Sequence, residues 1–243
     1  MNFLIVNDDS IHAPGIALLA RAAAELGEVT VVAPEHQCSA MSQRITIETP
    51  MALRRYEEFP APVKAAWSLE GMPADCVKAA LCHLMPEPPD FVLSGINAGW
   101  NAGFDIVHSG TLGAAFEARM LGVPAIAFSN AHGASWELPE AHLTQLLREL
   151  TALPPPKHAV WNINFPGCGI DACRGIRRDR LVAPIPLFRE WFLAEEQDGV
   201  RTLTLTGVPL AAGDPVPAGS DFEALLEGYI SVGTVACSVM PRT

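Results

Sequence analysis

Asn7, Asp8, Asp9 and Ser10 follow Phe3-Leu4-Ile5-Val6, an apolar run that reads as a buried strand. Two adjacent carboxylates at a strand mouth repel each other unless positive charge lies between them. A divalent cation resolves that repulsion, because hard ions such as Mg2+ and Mn2+ take the oxygen ligands that Asp, Ser and Asn supply. The competing reading makes one aspartate the N-cap of the following helix, a place Asp fills well but only one of the two can hold. Two more polar clusters follow predicted strands: residues 34–39, with Glu35, His36, Gln37 and Ser39, and residues 95–99, with Asn97. Taken alone, Ser39 or Asn97 would read as a turn residue. His108, Ser109, Gly110 and Thr111 stand just before a predicted helix. Hydroxyls and free N–H groups there make either an anion site or a plain cap. Together these residues suggest metal-assisted chemistry on a phosphate.

The elements that must position them alternate in type. Residues 15–26 are rich in helix formers, and Val29 to Ala33 is a second β-branched run; strand, helix, strand in this span is a βαβ unit with a right-handed crossover. The pattern continues with helix 74–85, strand 90–94, helix 113–121, strand 125–128, helix 139–150 and strand 159–165. It predicts an α/β fold with a doubly wound, mostly parallel sheet carrying helices on both faces. Ligands of such sheets collect at the carboxyl ends of the strands, near a topological switch point, so the three polar clusters should meet there. Glycines at 95, 99 and 103 do not make the dinucleotide fingerprint, and residues 95–103 read as a loop through which backbone approaches a ligand. Beyond Pro166 the alternation stops. Residues 174–180 are basic, residues 201–206 alternate with period two, and a last helix is expected near 221–228. The organisation expected is a catalytic core over 1–166 and a β-rich extension over 167–243 within one overall domain.

The 243 residues carry a net charge of −11 with 49% hydrophobic residues, which argues for a buried core and against nucleic-acid or anionic-membrane binding. An anionic ligand would have to be attracted locally, by a metal ion and a helix terminus. No run approaches the ~20 apolar residues of a membrane span, and the N-terminus does not read as a signal peptide. The six cysteines form no CxxC pair, which fits reduced thiols in a cytoplasmic protein. His12, His36 and His108 form no HExxH or HxH pattern and read as surface or spacer residues.

These motifs, in this order, resemble the SurE family of survival phosphatases: Asn7-Asp8-Asp9; Ala33-Pro34 leading to Ser39; residues 71–77; Ser94 to Gly99; Ser109-Gly110-Thr111; residues 162–166; and residues 228–232. The resemblance implies a Rossmann-like fold and a metal-dependent 5′- or 3′-nucleotidase acting on nucleoside monophosphates. It implies one divalent ion per subunit, Mg or Mn, on Asp8, Asp9, Ser39 and Asn97. It also implies a phosphate held by Asn97, Ser109, Gly110 and Thr111, and a homodimer or homotetramer whose C-terminal extensions exchange. Metal-activated water is the expected nucleophile, with Asp8 or Asp9 orienting it or handling a proton. The family usually has Gly where Ser10 and Ala40 stand, an aromatic residue at His108, and Thr-Pro after Ser231. Two rivals are a haloacid-dehalogenase type phosphatase, which expects DxD rather than adjacent acids, and a nucleotide-binding module with little or no turnover.

Overall fold

The computed structural model describes residues 1–237, so residues 238–243 of the expected extension lie outside the described residues. The first half of the chain forms β1 (Asn2–Val6), α1 (Pro14–Ala24), β2 (Glu28–Pro34), β3 (Leu53–Arg55), β4 (Ala65–Leu69), α2 (Pro73–Ala79) and β5 (Phe91–Ala98). Then come α3 (Gly110–Met120), β6 (Ala125–Asn130), α4 (Glu137–Ala152), β7 (Ala159–Phe165) and β8 (Ile176–Arg180). The last elements are β9 (Phe188–Gln197), β10 (Val200–Pro209), α5 (Asp221–Leu226) and β11 (Ile230–Ala236).

Nine strands make one sheet in the order β3-β4-β2-β1-β5-β6-β7-β11-β8. The run from β4 to β7 is parallel throughout, while β3 and β11 each meet a neighbour antiparallel. A strand buried on both faces must be apolar at every position, and β1 shows why. Phe3 and Ile5 enter one core with Leu19 of α1 and Leu143 of α4, and Leu4 and Val6 enter the opposite core with Val77 of α2 and Leu112 of α3. From β1 the chain builds outward through β2 on one side and through β5 on the other. The switch point therefore lies beside the end of β1.

The doubly wound, Rossmann-like α/β architecture expected from the alternating pattern is present. Three details differ from the sequence reading. Residues 95–98 are strand rather than loop, because a register shift after Ser94 lets Asn97 and Ala98 pair with Ser129 and Asn130 of β6. Helix α3 begins at Gly110, since the Ser109 side chain caps it there. Strands β3, β4 and β11 carry no clear periodicity and owe their form to neighbours in the sheet. Strands β8 and β11, both beyond Pro166, extend the main sheet. Strands β9 and β10 pair only with each other, as an antiparallel hairpin closed at Asp198 and Gly199.

Candidate active site

The site is built at the ends of β1, β2 and β5. Helix α1 takes Ala13 as its N-cap, with no side chain capping it, so neither Asp8 nor Asp9 is spent on that role. The capping explanation for the two aspartates falls away. Asp8 is 3% exposed. Its Oδ1 accepts a hydrogen bond from the Thr111 hydroxyl at 2.7 Å, and its carbonyl oxygen accepts from the Cys38 N–H at 2.7 Å. Asp9 is half-buried; its Oδ2 accepts from the Ala98 N–H at 2.9 Å and its Oδ1 from the Gln37 amide at 3.4 Å. The same Gln37 Nε2 donates to Ser39 Oγ at 2.9 Å. Gln37 thus ties the cluster after β2 to the cluster after β1, and Ala98 ties in the end of β5.

Ser39 rides on residues 38–47, a stretch without regular structure that is fastened at several points. Ser42 donates its N–H to the His108 carbonyl and its hydroxyl to the Val107 carbonyl. The Gln43 amide donates to buried Glu117, which also pairs with Lys78 at 2.6 Å. The Thr46 N–H donates to buried Asp75. The stretch lies so close to α3 that a Cβ at Gly113 would sit 2.3 Å from the Ser42 carbonyl oxygen. Asn97 turns its amide nitrogen to the Gly99 carbonyl at 2.8 Å, which leaves its carbonyl oxygen as an available acceptor.

The start of α3 closes the other side. Ser109 Oγ accepts from the Leu112 N–H at 3.0 Å, an N-cap in full. The N–H groups of Gly110 and Thr111 belong to the first turn, where a helix has no internal partner for them. A Cβ at Gly110 would stand 2.9 Å from Asp8 Oδ2, so only glycine admits the helix terminus this close to the carboxylate. The Thr111 side chain faces Asp8 rather than solvent, which leaves the backbone N–H as its donor toward an anion.

Residues not singled out from the sequence support this arrangement. Asn101 donates to Thr111 Oγ1 at 3.1 Å and to Ser129 Oγ at 2.8 Å, and its carbonyl accepts from Asn162 and Asn164. This buried chain of amides fixes the hydroxyl that holds Asp8. Asn101 stood in the polar run 95–103, and Gln37 stood two residues before Ser39; proximity to those motifs was the available signal. His12, His36 and His108 are exposed, and none contributes a hydrogen bond to Asp8 or Asp9.

Burial pushes the Asp8 carboxyl up to about 6; the Thr111 hydroxyl opposes this, and the nearby Asp9 charge adds to it. Among the described residues no Lys, Arg or His forms an ion pair with either aspartate. No three His, Cys, Asp or Glu side chains gather as a metal site among the described residues, so any ion here depends on neutral oxygens beside the two carboxylates. Two carboxylates, a hydroxyl and an amide oxygen are hard donors. That set fits Mg2+ or Mn2+ and would relieve the unmatched charge.

Two departures noted in the sequence acquire a structural meaning. Ser10 has φ +91 and Ala40 has φ +56, both in the region that favours glycine. The backbone of each loop keeps a conformation that these residues adopt at a cost.

Residues 3–184 match the model of the family described as survival protein SurE. A protein named 5′/3′-nucleotidase SurE from Erwinia tasmaniensis is 38% identical over 96% of this chain and 88% of its own length. The 5′-nucleotidase SurE of Brucella canis is 36% identical over 96% of this chain and 91% of its own. A crystal structure of the SurE protein from Aquifex aeolicus superimposes with a TM-score of 0.83 at 30% identity, covering 99% of this chain and 95% of that one. Sequence match and fold agree across nearly the whole length, and this chain belongs to the SurE family.

Proposed function

We propose that this protein is a phosphoric monoester hydrolase that releases phosphate from nucleoside monophosphates. The observation that carries the reading is the Asp8–Asp9 pair, free of any capping duty, at the switch point and in contact with the start of α3. The relatives' names, nucleotidases in each case, support it and weigh against a binding module without turnover.

Asp8, Asp9, Ser39 and Asn97 would hold one divalent ion, Mg or Mn, which when bound supplies Lewis-acid stabilisation and a more acidic water. The residues of the chain do the rest. Thr111 fixes the Asp8 carboxylate, so that its free oxygen keeps one direction. The Ala98 N–H and Gln37 do the same for Asp9. The N–H groups of Gly110 and Thr111, with the Ser109 hydroxyl and the Asn97 side chain, receive the phosphate oxygens at the positive end of α3. One aspartate orients the attacking water and takes its proton; half-buried Asp9, the more accessible of the pair, suits that role. This local arrangement lets a protein of net charge −11 hold an anion.

The core over 1–166 would carry the catalytic groups, and the extension over 167–243 would serve assembly. An isolated two-stranded hairpin is marginal in water, and Leu193, Val200 and Leu203 are all more than half exposed on this one. Covering them in a homodimer or homotetramer would remove that cost. No helix among the described residues is long and apolar enough to cross a membrane. Cysteines 38, 76, 82, 168, 173 and 237 are all unbridged, which favours the cytoplasm.

Phosphate release from AMP and GMP with Mn2+ or Mg2+ tests the reading, repeated with EDTA and with Asp9→Asn. Undiminished hydrolysis after chelation would reject it, as would silence from the folded, metal-loaded enzyme.

A further inference from the structure

Between the hairpin and the start of α3 lies an open cavity of about 650 Å3, within the range of sites for small organic ligands. Trp100, Asp105, His108, Trp191, Phe192 and Leu205 line it. Ala40 lies at its edge, next in sequence to Ser39, and His108 is next to Ser109. The cavity therefore opens beside the place assigned to the phosphate. We infer that it receives the nucleobase of the substrate by stacking on aromatic faces supplied partly by the hairpin. This inference rests on the nucleotidase reading and extends it to the other end of the substrate.

Three observations support it. Trp191 and Phe192 are 46% and 61% exposed, an unusual amount of aromatic surface to leave in water beside a polar site. Trp100 is held in one orientation, its indole N–H donating to the Phe165 carbonyl at 2.7 Å, so a ring face is presented without further ordering. The root of the hairpin is fixed as well. Asp105 Oδ2 accepts from the Leu187 N–H at 2.5 Å, and the Phe104 N–H donates to the Ile185 carbonyl at 3.2 Å. The second oxygen of Asp105 is left to accept from an exocyclic amine or a sugar hydroxyl. Stacking is tolerant of sequence because every base has a π-face. The site should therefore accept several bases and favour the larger purines.

The test uses the full chain, with AMP set against ribose 5-phosphate, an ester that lacks only the base. Trp191→Ala should lower the ratio of kcat/KM for AMP over ribose 5-phosphate about tenfold, and Trp191→Phe should restore most of it. Leu203→Ala serves as the control. It removes an apolar side chain, 56% exposed, from the same hairpin but outside the cavity, and it should leave the ratio as in the wild type. An unchanged ratio in Trp191→Ala, or an equal fall in Leu203→Ala, would overturn the inference and assign the aromatic residues to assembly. Adenosine binding by equilibrium dialysis needs no turnover and separates the two readings. A wild type that hydrolyses neither ester but retains adenosine, with the retention lost in Trp191→Ala, sinks the nucleotidase reading and leaves the base site standing. Equal adenosine retention by both proteins sinks the base site alone.

Discussion

The crevice at the end of β1 and the hairpin of β9 and β10 stand at opposite extremes of packing within one chain. In the crevice Asp8 is nearly inaccessible, its oxygen is held by Thr111, and Gly110 leaves no space for a single methyl group. The Asp8 carboxylate is placed by the buried Thr111 hydroxyl, and that of Asp9 by the Ala98 N–H and Gln37 at the rim. On the hairpin, ten consecutive residue pairs are joined by the ladder, yet most of the apolar side chains face water. The difference shows where each region gets its order. The crevice inherits rigidity from the parallel sheet, at the cost of crowding two carboxylates into a low-dielectric place. The hairpin takes its order from its own ladder and from anchors at its root, and its apolar side chains stay open to water.

The sharpest way to break this contrast is to remove charge from the crevice. Asp9→Asn, or EDTA in place of Mn2+, should cut phosphate release from AMP on the order of a thousandfold, with the far-UV spectrum unchanged. Next in size is Gly110→Ala, whose Cβ would press on Asp8. The displacement should cost about a hundredfold in kcat/KM, while Gly169→Ala, at an exposed glycine with open space around it and an ordinary φ, should not. A residual activity near wild type in Gly110→Ala would mean that the crevice yields as readily as the hairpin.

Stability gives the third prediction, and its sign follows from Asp8. Its folded value of about 6 lies above the ordinary 3.8, so between these values the folded state keeps a proton that the unfolded chain has released. Stability of the metal-free protein therefore falls as pH rises across that window, and the deficit persists above it. Asp8→Asn should raise the melting temperature of the metal-free protein at pH 7.5, by up to about 3 kcal/mol of stability, and should have little effect at pH 3.5. Equal melting temperatures at pH 7.5 would show that the carboxylate is better solvated than its burial implies.

On the hairpin the effects should be small for the fold and visible in assembly. The proposed assembly predicts that Leu193→Ser with Leu203→Ser lowers the mass read by light scattering, with the main melting transition within about 0.5 kcal/mol of wild type. A large drop would place the hairpin within the cooperative core. The smallest effects belong to the strained loops: Ser10→Gly and Ala40→Gly should each stabilise by about 1 kcal/mol, read as a modest rise in the denaturation midpoint.

Much of the crevice was legible in one dimension because its parts are short local patterns. The apolar run before Asn7, the helix-forming stretch 15–26 and the Ser109 cap each declare themselves within a few residues, and alternation of strand and helix then dictates a parallel sheet with a switch point. Chain order alone could not decide whether one of the aspartates capped α1, because Asp9 lies only a few residues before the helix-forming stretch and Asp is a strong N-cap residue; the folded backbone gave the place to Ala13. Nor could it show that Gln37 joins Asp9 to Ser39, that Asn101 steadies Thr111, or that residues 95–98 belong to β5. The link from Gln37 to Asp9 and the pairing of β5 with β6 join residues far apart in the chain, and the contact of Asn101 with Thr111 spans a reversal between β5 and α3; all depend on which elements become neighbours. Residue types set the chemistry available to this protein, and the sheet's topology determined which of those residues meet.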